Sequence, residues 1–308
     1  MNRFYLGVSR TVNSDPYKMH IDFLSCQIQN LLSCEKRLKM SKFRVSISIA
    51  ILGLIICLTS CASGYEINTT HIPLSIGDST VDLVLHDTAV PGLTYLNIHD
   101  DENTCVRAAL NTIKWYGGRV FELKHSGKRN ITFKLEGVEY EFDPNRIFSV
   151  AGIEASLERF SSVSDEAIVA VELFADELLQ QIKPAELNVF VTLHNNEPSD
   201  NYSIERYTAN GDYASEALIV SVTNDIDPND YYFVTDYNLF IQLSQNDQNV
   251  VLQDNEQVTD DGSLSVWSAH QQIPYVNIEV QERHRRVQEG MIQLLHELYF
   301  PDSKFIAH

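Results

Sequence analysis

The 308-residue sequence is short of several things, and each shortage excludes something. Cysteine is scarce. Four of the five (Cys26, Cys34, Cys57 and Cys61) lie in the first 61 residues. Cys105 alone remains in the body, so no disulfide can close there and stability must come from a packed core. Basic side chains are outnumbered, with 23 Lys and Arg against 42 Asp and Glu and a net charge of −19. Nucleic acid is therefore not an expected partner, because phosphates are held by Lys/Arg clusters. The uncharged apolar run 45–58 falls short of the ~20 residues that span a bilayer. There is no CxxC, HExxH, GxSxG or glycine-rich phosphate loop. What remains, 44% hydrophobic and 21% charged, is ordinary globular composition with apolar residues enough for a sizeable core.

Charge is unevenly spread. Residues 1–60 carry 8 basic and 3 acidic side chains, and residues 61–308 carry 15 and 39. Lys42 and Arg44 precede the apolar run, and Leu58-Thr59-Ser60-Cys61 closes it. A basic region, a short apolar stretch and such a tetrapeptide resemble a bacterial lipoprotein signal. The resemblance implies a signal peptide over 40–60, lipidation of Cys61, and a membrane anchor. Ala62 after the Cys implies sorting to the periplasmic face of the outer membrane. Residues 1–39 fit no targeting pattern and read as a non-native or extended N-terminus, with Met40 a plausible start. Residues 61–78 read as a tether. The three N-x-S/T sequons, at Asn68, Asn130 and Asn201, are chance matches in a bacterial export context.

From residue 79 strands and helices alternate. Short apolar runs at 81–86, 93–98, 119–123, 187–193, 218–222, 231–235, 250–252 and 274–280 read as strands. Residues 131–135 and 138–142 flank Glu136-Gly137 as a β-hairpin. Helical spacing marks 102–116, 166–182 and 284–299. This order predicts one α/β domain over 79–308, with a mixed, largely parallel central sheet flanked by helices.

Four segments place polar residues where strands end. His99 closes one strand and Glu102 follows three residues later. His194 closes another. Ligands gather at the carboxyl ends of strands in open α/β sheets, and two His with one Glu is the donor set of several catalytic zinc sites. Taken singly, such a His reads first as a hydrogen-bonded structural residue, and only the two together with the Glu102 spacing bring the metal reading level with it. In Asp143-Pro144-Asn145-Arg146-Ile147-Phe148, Arg146 beside the Asn145 amide suits a bidentate carboxylate, or else a loop salt bridge. In 275–281, Val276, Ile278 and Val280 share one strand face and Tyr275, Asn277 and Glu279 the other. A carboxylate at the end of so apolar a strand is either functional or paired, with Arg283 and Arg285 as the available partners. Asp225, Asp227 and Asp230 have calcium-loop-like spacing but lack the Gly and terminal Glu, and read as a polar turn. Asp260-Asp261-Gly262 reads as a turn.

In this order the four segments resemble the zinc carboxypeptidase superfamily, nearest its succinylglutamate desuccinylase/aspartoacylase branch. The matches are His99-Asp100-Asp101-Glu102, Asp143-Pro144-Asn145-Arg146-Ile147-Phe148, Leu193-His194-Asn195 and Glu279-Val280, over roughly residues 93–281. The resemblance implies one Zn2+ held by His99, Glu102 and His194, a substrate carboxylate held by Asn145 and Arg146, and Glu279 as general base. It also implies a carbonyl-polarising arginine, for which Arg129 is the candidate, and a capping tyrosine among Tyr202, Tyr207, Tyr213 and Tyr237. Asp100 stands where the family has Gly, and is expected to add negative charge beside the metal. The implied activity is metal-assisted hydrolysis of an amide in a carboxylate-bearing peptide, with peptidoglycan stem peptides suggested by location alone. The alternatives are a deacylase of small N-acyl amino acids and an inactive binding lipoprotein on the same fold.

Overall fold

The computed structural model describes residues 64–197 and 202–302. The proposed signal, Cys61 and residues 1–39 lie outside the described residues. Eleven strands and six α-helices are described. The strands are β1 (Asn68–Ile76), β2 (Ser79–Asp87), β3 (Thr94–Asn97), β4 (Arg119–Lys124), β5 (Ile131–Leu135), β6 (Val138–Phe142), β7 (Phe190–Asn196), β8 (Ala217–Ser221), β9 (Tyr231–Val234), β10 (Val250–Gln253) and β11 (Tyr275–Gln281). The helices are α1 (Asn103–Tyr116), α2 (Val150–Phe160), α3 (Asp165–Ile182), α4 (Tyr237–Gln245), α5 (Leu264–His270) and α6 (Arg285–Tyr299).

Nine strands form one mixed sheet in the order β1-β2-β4-β3-β7-β11-β9-β10-β8, and β5 and β6 form a separate hairpin. The centre, β4-β3-β7-β11, is parallel, and antiparallel pairings flank it. The hairpin turns at Glu136 and Gly137, both at positive φ (52° and 83°), the conformation that a tight two-residue hairpin turn requires.

Each face of the sheet has its own core. On one face α1, α4 and α6 cover Val191, Leu193, Val276, Ile278 and Val280. On the other, α2, α3 and the β5-β6 hairpin cover the β1–β4 half, with Phe133, Phe142, Phe174 and Phe190 at its centre. Helix α3 shows how sequence sets these elements. Ser164 caps it by accepting from the Ala167 amide, and Asp165 and Glu166 suit its positive end. Ala167, Val171, Phe174, Leu178 and Ile182 form its buried stripe, and Lys183 in the left-handed region followed by Pro184 ends it. Among the described residues, the β9–β10 half of this second face has no helix stripe over it. It carries Tyr231, Phe233 and Val251, packed with Ile204 and Tyr207.

The structure corrects the tether. Residues 68–76 form the edge strand β1, paired with β2 along its whole length from Asn68↔Asp87 to Ile76↔Ser79. Only Leu74 and Ile76 of β1 are buried, and its apolar alternation is confined to Ile72, Leu74 and Ile76 and holds Pro73, which suits an edge strand. The 78/79 boundary therefore falls inside a hairpin. Helices α2, α4 and α5 were not anticipated. They are short, and their apolar positions are interrupted by Gly152, Gln242 and Ser265.

Candidate metal centre

Sheet topology brings the strand-end residues together. β3 and β7 are adjacent and parallel, so His99, just beyond β3, and His194, near the end of β7, emerge at the same edge. Glu102 begins α1 one turn after His99, its amide donating to the His99 carbonyl at 3.2 Å. Glu102 Oε1 stands 2.9 Å from His99 Nδ1, and Oε2 stands 3.1 Å from His194 Nδ1. The two Nδ1 atoms are 3.1 Å apart. Ligand atoms around a tetrahedral zinc with bonds of about 2.1 Å stand about 3.4 Å apart, so the triangle is close to the size a small divalent cation needs. Among the described residues this is the group of His, Cys, Asp and Glu able to hold a metal, and all three members are buried.

The donor chemistry fits a cation independently of size. His99 Nε2 lies 2.9 Å from Asp143 Oδ1. A carboxylate accepts only, so the proton sits on Nε2 and Nδ1 of the neutral ring presents a lone pair. That lone pair faces a carboxylate oxygen and a second imidazole nitrogen. With the proton of His194 on Nε2, three acceptors converge, and a positive charge among them, a proton or a metal, satisfies all three. In the metal-free chain the answer is a proton on His99. Burial lowers its pKa, but the Glu102 and Asp143 carboxylates outweigh burial and raise it to about 9, with Arg129 opposing. For Glu102, burial raises the pKa, but the two imidazoles hold the carboxyl far below its ordinary range. Asp143 is likewise held low by His99 and Arg129 against the effect of burial. A metal must displace the His99 proton. Affinity of the metal-free protein for zinc is therefore expected to rise by up to about tenfold per pH unit as pH climbs towards 9. Chelator-competition titrations at pH 6, 7 and 8 test this, and a flat profile would remove His99 from the ligand set.

Neighbouring residues fix the ligands. Asn195 donates its amide to Glu102 Oε2 (3.1 Å) and accepts the Cys105 amide on its side chain (2.9 Å). Gln288 of α6 receives the Asn195 side-chain amide and donates to the His194 carbonyl. Asp143, at the end of the β5-β6 hairpin, orients His99. Such partners of metal-binding imidazoles are each worth 10- to 100-fold in affinity. Asp143→Asn is expected to weaken zinc binding by that factor, measured by the same chelator competition, with the far-UV spectrum unchanged.

Glu279 is the register neighbour of His194 on adjacent parallel strands. It is 6% exposed and forms no ion pair with Arg283 or Arg285, which pair instead with Glu282 and Glu289. Its oxygens accept from Asn277 Nδ2 (3.0 Å) and Asn196 Nδ2 (3.4 Å). Arg129 bridges Glu102 Oε1 (2.8 Å) and Asp143 Oδ2 (3.4 Å), with 47% of its side chain exposed. Asn145 Oδ1 accepts the Leu264 amide at 3.1 Å, and Arg146 lies 3.4 Å from Asp261. The Arg146 loop is clamped by two glycines. A Cβ on Gly152 would lie 2.4 Å from Gly262 Cα, and Gly262 itself has φ +74°.

Glu102, Arg129, Asn145, Arg146, His194 and Glu279 all line one cavity of about 490 Å³, with His99 fully buried behind them. Tyr202, Tyr207 and Tyr213 line it too. Tyr237 does not; it opens α4 and is 56% exposed, which removes it as a capping tyrosine. The expectation for Asp100 is also corrected. Its carboxylate pairs with Lys124 Nζ at 2.6 Å and accepts the His125 and Gly127 amides at 2.7 Å, so its charge is neutralised locally. It holds the loop that leads to Arg129. The roles of Gln288 and of Asn196 beside Glu279 were not anticipated. No sequence signal marks them, because both arise from contacts between distant elements.

No protein-family model and no curated protein matches the chain. Solved structures do resemble it. A succinylglutamate desuccinylase/aspartoacylase from Rhodobacter sphaeroides is 14% identical at TM-score 0.40, over 77% of this chain and 66% of that one. Murein-tripeptide amidase MpaA from Escherichia coli O157 is 13% identical at TM-score 0.41, over 76% and 92%. A metallo-carboxypeptidase from Burkholderia cenocepacia is 11% identical at TM-score 0.38, over 82% and 68%. The chain spans just under two thirds of the Rhodobacter protein. The chemistry of the site stands on its own distances and not on these likenesses.

Proposed function

We propose that the chain is a zinc-dependent hydrolase of amide bonds, acting on a peptide or N-acyl amino acid with a free carboxylate. The observation that carries this is the triangle of His99, Glu102 and His194 with the Glu279 carboxylate on the next strand, all at one cavity but for the buried His99. A zinc ion on these ligands would supply a water of pKa near 7 and a Lewis acid for the scissile carbonyl.

The chain's own groups do the rest. Glu279 takes the proton of the attacking water and returns it to the leaving nitrogen. The Arg129 guanidinium, steered by Glu102 and Asp143, meets negative charge developing on the carbonyl oxygen. Asn145 and Arg146, on a loop held by the two glycines, take the substrate carboxylate and set its distance from Glu279. Asp143 keeps His99 in the tautomer that ligation needs. Anchoring through Cys61 to the periplasmic face of the outer membrane, and peptidoglycan-derived peptides as substrates, belong to this proposal on sequence grounds alone. Purified protein should contain about one zinc per chain and release a C-terminal or N-acylated amino acid. Peptide and N-acyl amino acid panels assayed side by side separate a peptidase from a deacylase. Protein with neither zinc nor turnover would leave only the binding lipoprotein.

A further inference from the structure

The cavity continues past Glu279 along the same sheet face. The register places Asn277 opposite Phe233, and Phe233 opposite Val251. Gln253, two residues beyond Val251, lies one side-chain row farther from Glu279 on the same face, so these residues form a floor leading away from the reacting groups. Its distance from the carboxylate clamp is set by hydrogen bonds. Asn145 Oδ1 accepts the Leu264 amide, and the carbonyl of the next residue, Ser265, accepts from Gln253 Nε2 at 3.4 Å. The floor thus adjoins the clamp, on the side of the amino acid that leaves.

Two side-chain amides on this floor are held in one orientation. Gln253 is 1% exposed, and its Nε2 donates to both Asn255 Oδ1 (3.0 Å) and Ser265 O. Asn277 Nδ2 donates to Glu279 Oε1. Flipping either amide would set oxygen against oxygen, so the carbonyl oxygens are fixed. Both Gln253 Oε1 and Asn277 Oδ1 are buried without a partner among the described residues, and both residues line the cavity. The basic residues lining the cavity, Arg129 and Arg146, stand at the site end and are already engaged with acidic groups.

Resting on the hydrolase reading, we infer that the cavity selects a leaving amino acid whose side chain ends in N–H donors, an ammonium or a carboxamide. An apolar side chain reaching either amide would leave a buried acceptor unpaired, and a carboxylate would face it as a further acceptor. Glu279 and Asn277 are two residues apart, about 7 Å along the strand, comparable to the reach of an extended Gln or Lys side chain.

The test is a substrate series with one acyl group and Gln, Lys, norleucine or Glu as leaving residue, in both configurations at Cα, together with calorimetric binding of the four free amino acids. Gln or Lys should exceed norleucine and Glu by at least ~10-fold in kcat/KM and in affinity. Gln253→Leu should bring that ratio towards one. Lys above Gln assigns the ammonium, and Gln above Lys the carboxamide; either supports the inference. Hydrolysis that is indifferent to the side chain, or that favours norleucine or Glu, overturns it and leaves the hydrolase reading intact. Absence of hydrolysis with the same preference in binding, lost in Gln253→Leu, removes the hydrolase reading and retains the selectivity. Equal binding of all four amino acids overturns the selectivity whether or not there is turnover.

Discussion

Replacing Glu279 with Gln is expected to leave zinc content at about one per chain and to lower kcat by ~10²–10⁴-fold. The substitution keeps the volume of a side chain that is 6% exposed and removes only its capacity to take a proton. The neighbours support that separation. Glu279 is held by the amides of Asn277 and Asn196, neither of which touches the three ligands among the contacts described, and Gln can still accept from one of them. Measuring kcat beside metal content distinguishes the outcomes. Full activity would take Glu279 out of the chemistry. Loss of zinc together with activity would make it part of the metal-holding structure instead of a base.

The second large effect concerns the metal itself. His194→Ala should reduce bound zinc from about one per chain to below about a tenth, because His99 and Glu102 alone are a two-ligand set. Folding should survive. The ring is buried, so its loss leaves a cavity costing about 1–3 kcal/mol. The strand that carries it is paired on both sides, by β3 and β11. Atomic absorption on the purified variant, with a thermal melt as control, reads both quantities. A variant that melts normally and still holds a full complement of zinc would place the ion elsewhere.

The parts of this site that could be read in the sequence are those that local pattern dictates. His99 and His194 stand out because each is polar at the end of an apolar strand, and two parallel neighbours deliver strand ends to one edge. Glu279 stands out because Asn277 and Glu279 interrupt Val276, Ile278 and Val280 with period two. What could not be read depends on contacts between distant elements. Asp143 reaches His99 because the β5-β6 hairpin packs on the sheet through Phe133 and Phe142, which no local rule encodes. Asp100 looked like added charge beside a metal, but Lys124 at the end of β4 and two loop amides turn it into a loop anchor. β1 was hidden because its alternation is confined to Ile72, Leu74 and Ile76, around Pro73, at the end of an otherwise polar segment. Helix α2 was hidden by a glycine whose small size serves contact with Gly262, not helix formation.

Glu279 and His194 face each other as rungs of one backbone ladder, from Tyr275↔Phe190 to Gln281↔Asn196. The spacing between proton acceptor and ligand is therefore dictated by strand separation, about 4.8 Å, and by no loop. The residues assigned to holding substrate sit differently, on turns around Asn145 and Asp261 and on short helical segments around Tyr202 and Ser265. Carboxylate capture is thus written into turns, whereas Glu279 and the two amides that select the leaving side chain, Gln253 and Asn277, share the strands of the sheet. Grafting the segment 144–149 from another scaffold should change how a substrate carboxylate is held, while the spacing of Glu279 from His194 is kept.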